Sequence, residues 1–221
     1  MITIALSKGR LLQESIPVIK KVGKLLGMED SATPAYDPIN TRSLIIKAKN
    51  KNWQFLILRA ADVPTFVRHG AAQLGIAGKD ILLEQDSSDL FQPIDLPIGK
   101  CRMSLAMNHA FAKKWQDNQL SGGFPLRVAT KYPLITHEWF SKQRRKVQII
   151  KLYGSMEIAP FVGISDAIVD LVSTGATLRE NNLKEVEKIE NINAKLIVGR
   201  ASLKTESKKL KPIIEAFDHL N

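Results

Sequence analysis

The segment DAIVDLVSTGATL, Asp166 to Leu178, constrains the fold more than any other part of the 221-residue sequence. The apolar residues around Asp170 predict a buried strand of a parallel sheet. The small, hydroxyl-rich stretch Ser173 to Thr177 predicts a turn that opens a helix. Such a turn offers backbone N–H groups and the positive end of a helix to an anion, and Gly175 lets the backbone approach that anion closely. The segment therefore predicts a phosphate site.

Asp170 is expected at the rim of this phosphate site. A carboxylate there holds either ribose hydroxyls or a metal ion bound to phosphate, so the pattern favours a ribose phosphate as the ligand. An ordinary strand-to-helix turn, with Asp170 as a satisfied polar residue, remains the alternative for this segment taken alone.

Apolar strands alternate with helical segments along the chain, which predicts an α/β architecture. The predicted strands are Ile2 to Leu6, Ser43 to Ala48, Trp53 to Arg59, Leu74 to Ala77, Leu126 to Thr130, Val147 to Leu152 and Asp166 to Val172. One helix is predicted from about Asp62, its candidate cap, to His69. Another should run from about Thr205 to Leu220 with one apolar face. The polar stretch Asn118 to Gly123 predicts a loop.

Charge and cysteine usage narrow the class of protein. The net charge of +10 would suit a nucleic-acid partner, but no helix-turn-helix, zinc-finger or RNA-binding pattern accompanies it. Cys101 is the single cysteine, which excludes an internal disulfide and a cysteine-built metal site. No apolar run is long enough to span a bilayer and no secretion signal opens the chain, so a cytoplasmic protein is expected.

Further motifs extend the pattern of the phosphate segment. The opening ITIALSKGR, Ile2 to Arg10, predicts a strand that ends in a flexible, doubly cationic turn. GIAGKD, Gly75 to Asp80, lacks the spacing of a P-loop and the Ser or Thr that follows its Lys. The other motifs, in chain order, are WQFLILR, AADVPTFVRHGAAQLGIAGKDILLE, DLPIGKCRMSLA, RVATKYP, IIKLYGSMEIAP and KLIVGRASLK.

Taken in this order and spacing, the segments closely resemble the ATP phosphoribosyltransferase family, the enzymes of the first step of histidine biosynthesis. The resemblance covers essentially the whole chain. The chain resembles the short form of the enzyme, which lacks the carboxyl-terminal domain that longer members use to sense histidine. Two positions depart from the family pattern: Gln73 stands where members usually carry Asp, and Gly199 stands where Asn is common. Neither position belongs to the phosphate loop.

The resemblance implies a fold like that of bacterial periplasmic binding proteins of type II, with two α/β lobes around a central cleft. Lobe I is expected to comprise residues 1–98 and 201–221. Lobe II is expected to comprise residues 99–200, with the phosphoribosyl pyrophosphate loop. The chain should cross between the lobes near Ile98 to Leu105 and near Lys195 to Ala201.

The implied reaction transfers the 5-phosphoribosyl group of phosphoribosyl pyrophosphate to N1 of ATP, giving phosphoribosyl-ATP and pyrophosphate. The adenine N1 bears no proton, so its attack needs no general base and catalysis rests on positioning and charge. Mg²⁺ suits the pyrophosphate and is expected to be held mainly by substrate phosphates. Arginine offers phosphate a planar fork, so the catalytic candidates are Arg10, Arg42 and Arg59, helped by Lys8.

The resemblance also assigns binding residues. Those expected to bind phosphoribosyl pyrophosphate are Glu157, Asp170, Ser173, Thr174, Gly175, Ala176 and Thr177. The candidates for the ATP side are Lys79 and Asp80. As partners, the resemblance implies a homodimer when the chain is alone and a hetero-oligomer with a regulatory subunit that resembles histidyl-tRNA synthetase. Neither nucleic acid nor a membrane is expected as a partner.

Two other functions stay open at this point. A type I phosphoribosyltransferase shares an apolar strand and a Thr-Gly-x-Thr loop, but it usually has two adjacent acidic residues where this chain has Asp170 followed by Leu171. A non-catalytic solute-binding module of the same two-lobed fold would need only the cleft. The lack of a secretion signal speaks against that second function.

Overall fold

The computed structural model describes residues 1–35, 37–117 and 125–220. The predicted loop Asn118 to Gly123 lies outside these residues. The chain divides into two compact units: unit 1 is Met1–Lys100 with Asn193–Asn221, and unit 2 is Cys101–Ile192. Within the described ranges, no helix has both the length and the apolar character needed to cross a membrane.

Unit 1 is a mixed sheet covered by helices. Its strands are β1 (Ile2–Ser7), β2 (Ile45–Lys47), β3 (Trp53–Leu58), β4 (Leu74–Gly78), the beginning of β5 (Leu90–Asn108) and the end of β9 (Leu183–Gly199). Its helices are α1 (Arg10–Leu25), α2 (Val63–Arg68), α3 (Lys79–Glu84), α7 (Arg200–Thr205) and α8 (Ser207–Asp218), with short 3-10 helices at Glu29–Ala32 and Ala60–Asp62. The strand order is β2-β3-β1-β4-β9. Strand β1 is parallel to β3 and β4, whereas β2 and β9 are antiparallel to their neighbours.

The central strand β1 shows why unit 1 is layered. Ile4 and Leu6 pack into a cluster that includes Ile19 of α1 and Phe217 of α8. Ala5 packs into a different cluster, with Val67 of α2. Successive side chains of a strand point to opposite faces, so a strand covered on both faces is buried along its whole length. All six residues of β1 are accordingly buried.

Unit 2 repeats this architecture on a smaller scale. Its strands are the end of β5, β6 (Leu126–Thr130), β7 (Val147–Lys151), β8 (Ala167–Val172) and the beginning of β9. Its helices are α4 (His109–Gln116), α5 (Pro133–Lys142) and α6 (Ala176–Glu180), with a 3-10 helix at Met156–Ile158. The strand order is β5-β8-β6-β7, in which β8, β6 and β7 are parallel and β5 is antiparallel to β8. The carboxyl ends of three parallel strands therefore lie at one edge of this sheet.

The units differ from the expected lobes mainly at their second boundary. Residues 193–200, which were expected in lobe II, group with unit 1. Strand pairing is the reason, because Ala194 to Val198 of β9 pair with Gly78 to Leu74 of β4 inside unit 1. The first change of unit, between Lys100 and Cys101, falls within the expected crossing.

The predicted strands are confirmed, and the largest difference is at β2. This strand begins at Ile45 rather than at Ser43. The Ser43 N–H is bonded to the Thr41 hydroxyl and the Ser43 hydroxyl to the Ile45 carbonyl, so a local turn replaces strand pairing there. The long strands β5 and β9 were not predicted.

Both predicted helices are present, with two corrections. Helix α2 follows Asp62, but Asp62 makes no side-chain capping bond, so its predicted role as a cap is wrong. The reason is that Asp62 belongs to a preceding 3-10 helix and has helical dihedrals, φ −91° and ψ −21°, whereas a capping side chain needs an extended backbone. The predicted C-terminal helix is α8, which begins at Ser207, and the shorter α7 before it was not predicted.

The two positions that depart from the family pattern have clear roles in unit 1. The Gln73 carboxamide accepts a hydrogen bond from the Thr3 N–H at 2.8 Å and donates one to Glu206 at 3.2 Å. Gln73 thus lies at the amino ends of β1 and β4, away from the edge that carries Lys8. At Gly199, a Cβ atom would lie 2.7 Å from the Val67 carbonyl oxygen, so this backbone leaves no room for a side chain.

An arginine–carboxylate pair fixes the beginning of β8 in unit 2. The Arg127 guanidinium contacts Asp166 at 2.7 Å (Nη2 to Oδ1) and 3.2 Å (Nε to Oδ2), and the Arg127 backbone N–H donates to Oδ2 at 2.9 Å. Arg127 Nη1 also donates to the Gly163 carbonyl at 2.8 Å. Burial raises the pKa of the Asp166 carboxyl, but the bonds from Arg127 outweigh burial and bring this pKa below its ordinary value of 3.8.

We predict that Asp166→Asn makes the protein less sensitive to acid. A carboxyl whose pKa is lower in the folded chain stabilises the fold fully above the unfolded pKa, and this contribution is lost as pH falls through the folded pKa. Urea unfolding at pH 7 and at pH 3 should show a smaller loss of unfolding free energy for the variant than for the wild type. Glu138→Gln, exposed on α5 of the same unit, is the control, and equal losses in Asp166→Asn and wild type would contradict the prediction.

Candidate active site

A pocket of about 160 Å³ in unit 2 brings together every residue that was expected to bind phosphoribosyl pyrophosphate. It lies at the carboxyl end of β8, where the chain turns into α6. The lining residues are Glu157, Asp170, Leu171, Val172, Ser173, Thr174, Gly175, Ala176, Thr177 and Leu178.

Apolar packing explains how separate segments reach this pocket. Val172 and Leu178 bracket the loop 173–177, and both are buried in one hydrophobic cluster. Met156 and Ala159, on either side of Glu157, are buried in the same cluster. Four apolar anchors therefore hold the 3-10 helix with Glu157 beside the loop, although the loop itself is rich in polar residues.

The loop has the backbone geometry of an anion site. Gly175 has φ +75°, a left-handed conformation that glycine adopts without strain. Within the described part of the chain, the N–H groups of Thr174 and Gly175 have no hydrogen-bond partner. The Ala176 N–H is bonded to the Thr174 hydroxyl at 3.3 Å, and Arg179 Nη1 donates to the Thr174 carbonyl at 3.2 Å. Two adjacent N–H donors and nearby hydroxyls suit a phosphate group.

Asp170 is half-buried at the rim of the pocket. Its Oδ1 accepts a hydrogen bond from the Leu171 N–H at 2.8 Å. In the strand register it lies directly opposite Ser104 of β5. Asp170 and Glu157 are the two carboxylates of the pocket lining, and the loop between Val172 and Leu178 supplies its hydroxyls.

An ion pair that the sequence alone did not reveal contacts the first residue of the loop. The Arg102 guanidinium contacts Glu185 through two bonds of 2.6 Å, one from Nε and one from Nη2. Arg102 Nη1 donates to the Ser173 carbonyl at 3.1 Å. The bonds from Arg102, with a further one from Ser104, hold the pKa of the Glu185 carboxyl below its ordinary range despite partial burial.

In unit 1, three of the predicted cations follow neighbouring parallel strands. Lys8 follows β1, Arg59 follows β3 and Lys79 follows β4. Since β1 is parallel to both other strands, these residues lie at one edge of the sheet. The Lys8 N–H is bonded to the Leu58 carbonyl at 2.8 Å, so the chain after β1 runs directly beside the chain before Arg59.

Arg42 and Arg10 occupy the same edge of unit 1 in different settings. Arg42 is exposed in the segment that leads into β2, close to Leu44, whose carbonyl accepts the Ile57 N–H. Arg10 begins α1, and its Nε is 2.6 Å from Glu14 Oε1. Glu14 Oε2 accepts the Gly99 N–H at 2.6 Å. The Gly99 N–H and the Arg10 guanidinium together lower the pKa of the Glu14 carboxyl.

Asp80 lies in the first turn of α3 and is buried, whereas its neighbour Lys79 is half-buried. The cap position of this helix is Gly78, which makes no side-chain capping bond, so Asp80 lies inside the helix. Within the described ranges, no cluster of three or more His, Cys, Asp or Glu side chains could hold a metal ion.

Sequence reasoning missed Glu14 beside Arg10 in unit 1 and the Arg102–Glu185 pair beside Ser173 in unit 2, for different reasons. Glu14 could have been found, because it follows Arg10 by four positions on a helix, the spacing of an ion pair. Arg102 and Glu185 are 83 residues apart in the chain and meet only when β5 and β9 enter unit 2. Nothing local in the sequence pairs them.

Comparison with solved structures defines the class of fold. An amino acid ABC transporter substrate-binding protein from Streptococcus pneumoniae matches 99% of this chain and 86% of its own, with a TM-score of 0.57 and 14% identity. The predicted fold of the periplasmic-binding-protein type is therefore confirmed. The chain is an α/β protein of this class, with the loop 173–177 at the carboxyl end of one of its strands.

Closer relatives define the family. A chain of the ATP phosphoribosyl transferase (HisG:HisZ) complex from Thermotoga maritima matches 99% of this chain and 100% of its own, with a TM-score of 0.77 and 32% identity. The ATP phosphoribosyltransferase of Chromobacterium violaceum is 47% identical over 98% of this chain and 96% of its own length. The ATP phosphoribosyltransferase of Neisseria meningitidis is 48% identical over 98% of this chain and 94% of its own length. The family model "HisG: ATP phosphoribosyltransferase" matches residues 59–219.

The chain belongs to the ATP phosphoribosyltransferase family, which acts at the first step of histidine biosynthesis. The predicted family and activity are confirmed. Both alternatives, a type I phosphoribosyltransferase and a non-catalytic solute-binding module, are wrong.

We predict that Gly175→Val abolishes binding of phosphoribosyl pyrophosphate while unit 2 stays folded. A β-branched residue resists a positive φ, and a Cβ here would already lie 3.3 Å from Arg179 Nη1. Calorimetric titration with phosphoribosyl pyrophosphate, alongside circular dichroism, measures both effects. Gly163→Val is the matched control, because Gly163 also has a positive φ, +76°, lies in unit 2 and is not part of the pocket lining. Normal affinity in folded Gly175→Val would remove the loop from the site.

Proposed function

We propose that the loop 173–177 binds the 5-phosphate of phosphoribosyl pyrophosphate and that the reaction of this chain proceeds from that site. One observation carries the proposal: a single pocket joins this loop to the carboxylates of Asp170 and Glu157. The N–H groups of Thr174 and Gly175, which have no partner among the described residues, supply donors for phosphate oxygens, and the hydroxyls of the loop supply more.

The carboxylates of the pocket suit the rest of the sugar. A carboxylate accepts hydrogen bonds, and the ribose 2- and 3-hydroxyls donate them, so Asp170 holds the ribose. Glu157 lies near the ribose or its metal. These two contacts orient the anomeric carbon, and orientation contributes a large part of the rate of a two-substrate reaction.

The chemical step is a displacement at the anomeric carbon. The adenine N1 of ATP donates its lone pair to form the N1–C1′ bond, and the bond from C1′ to the pyrophosphate oxygen breaks with its electron pair. Pyrophosphate therefore gains charge as the bond breaks. The residues proposed to stabilise this charge are the cations of unit 1: Lys8, Arg10, Arg42 and Arg59. Fixed cations stabilise charge that develops in the transition state.

ATP is proposed to bind at the same edge of unit 1, where Lys79 contacts its phosphates and Asp80 follows Lys79 in α3. Lys79 follows β4 and its side chain is half-exposed, which supports contact with an anion. Asp80 is buried at the start of α3, so its contribution is to position the backbone of this turn rather than to bind solvent-exposed groups.

We propose Mg²⁺ as the cofactor, held mainly by the phosphates of the substrate. It prefers oxygen ligands and is commonly held by one or two carboxylates together with substrate phosphates, a pattern that Asp170 and Glu157 can complete. When bound, it neutralises part of the pyrophosphate charge.

The proposed partner is a HisZ-like regulatory subunit. The Thermotoga maritima relative, 32% identical to this chain, forms a HisG:HisZ complex, which supports the same association here. The family resemblance further supports a homodimer when the chain is alone. The cytoplasm is the proposed location, in keeping with a step of histidine biosynthesis that consumes ATP.

Incubation of the purified chain with ATP, phosphoribosyl pyrophosphate and Mg²⁺, with and without the partner, tests the proposed function. We expect equimolar pyrophosphate and phosphoribosyl-ATP. Omission of phosphoribosyl pyrophosphate, or replacement of ATP by GTP, provides the negative controls. Failure to form product in the complete mixture with the partner present would contradict the proposed reaction.

We predict that Arg10→Ala and Arg42→Ala lower kcat by about a hundredfold, the usual loss when one electrostatic contact to a developing charge is removed. The contact is strongest in the transition state, so kcat falls more than KM rises. Arg200→Ala, which removes an exposed arginine at the start of α7, is the control. A wild-type kcat with only a raised KM would show that the residue does not act on the leaving group.

We predict that the isolated chain binds histidine weakly and is not inhibited by it. A histidine-binding partner would impose control through a coupling free energy of about 1 to 3 kcal/mol. The complex should therefore be faster and sensitive to histidine. Titration of the isolated chain with histidine, followed by kinetic assays with and without the partner, measures this. Tight binding and inhibition without the partner would refute this account of regulation.

A further inference from the structure

Arg102 makes a set of contacts that the reaction described above does not use. It lies on β5, directly opposite Val172 in the antiparallel register, and so beside the last residue of β8 before the phosphate loop. Its guanidinium makes two bonds to Glu185 and one to the carbonyl of Ser173, the first residue of that loop. The side chain is about one-third exposed, and all three groups belong to unit 2.

Glu185 is itself held in place. Its Oε1 accepts a hydrogen bond from the hydroxyl of Ser104 at 2.8 Å in addition to the bond from Arg102. Ser104 is buried and lies opposite Asp170. A planar guanidinium bound through two bonds to a fixed carboxylate has little rotational freedom, so its third bond has a defined direction.

The bond to the Ser173 carbonyl determines the orientation of one peptide group of the loop. The carbonyl of Ser173 and the N–H of Thr174 belong to the same planar trans peptide and point in opposite directions. A carbonyl drawn toward Arg102 therefore turns the Thr174 N–H away from Arg102. That N–H is a loop donor without a partner in the described part of the chain.

We propose that Arg102 and Glu185 are positioning residues for phosphoribosyl pyrophosphate, acting through the peptide between Ser173 and Thr174. Arg102 does not itself contact the substrate in this account, because its three bonds are made to Glu185 and to the loop backbone. The proposal rests on the proposed role of the loop 173–177 in binding the 5-phosphate.

The chain contains a matched control for this pair. Arg127 also makes two side-chain bonds to a carboxylate, that of Asp166, and also donates from Nη1 to a backbone carbonyl, that of Gly163. This second pair lies in unit 2 at the beginning of β8, whereas Arg102 lies at its end. Any loss of affinity that comes only from weakening an arginine–carboxylate pair should therefore appear in both.

The experiment measures Arg102→Lys, Glu185→Gln and the control Arg127→Lys by steady-state kinetics with both substrates and by calorimetric titration with phosphoribosyl pyrophosphate. Lysine keeps the charge but cannot make the three directed bonds, and glutamine keeps the shape but not the charge. For Arg102→Lys and Glu185→Gln we expect KM and Kd for phosphoribosyl pyrophosphate to rise about tenfold, the loss expected for one charge-assisted hydrogen bond. KM for ATP should change less than about twofold, and Arg127→Lys should leave both KM values near wild type.

Each outcome decides one question. Wild-type affinity for phosphoribosyl pyrophosphate in folded Arg102→Lys would overturn the proposal, as would an equal rise of both KM values or a similar rise in Arg127→Lys. Urea unfolding of each variant shows whether a loss of binding follows from a loss of folding. If the wild type itself bound no phosphoribosyl pyrophosphate, the proposed function would fail instead, independently of Arg102.

Discussion

Parallel strand pairing is the constraint that gathers the candidate residues within each unit. In a parallel pair the carboxyl ends lie side by side, so whatever follows each strand is gathered at one edge. In unit 1 this edge collects the cations after β1, β3 and β4. In unit 2 the same rule places the turn after β7, which leads to Glu157, near the loop after β8. Residues far apart in the chain therefore converge without having to contact one another directly.

This constraint also explains how much could be predicted from the sequence. Apolar runs such as ITIALS and AIVDLV identify buried strands, and the residues that follow them are then predicted to share an edge. The strands β5 and β9 were not predicted, because charged residues interrupt their apolar pattern. Among these residues are Asp95, Arg102 and Lys195. In the structure such charged residues pair between strands; Lys195, for example, contacts Asp95 at 2.7 Å. In the sequence the same charged residues indicate an exposed loop, although they lie in a sheet. Local pattern cannot reveal a partner that is supplied by another strand.

Four arginines of the chain show two different physical roles. Arg102 and Arg127 are held by two bonds to a carboxylate and orient backbone carbonyls. Arg42 and Arg59 are exposed at a strand edge. A guanidinium fixed by a carboxylate has much of its charge compensated and little freedom to follow a ligand, whereas an exposed one keeps both its charge and its reach. Two bonds to one carboxylate, rather than residue type, thus set Arg102 and Arg127 apart from the exposed candidates Arg42 and Arg59.

Unit 1 is assembled from two stretches of chain, and this has a consequence for its biosynthesis. Leu74 pairs with Val198, and α8 packs on α1, so the sheet and one helical layer of unit 1 need residues that the ribosome adds after all of unit 2. At about 5 to 20 residues per second, the last segment emerges seconds after unit 2 is available to fold. Until then, the edge of β4 that later receives β9 is unpaired, and such edges invite aggregation. The pairing of β9 with β4 is therefore a late event for a nascent chain, and it is the event that closes this edge.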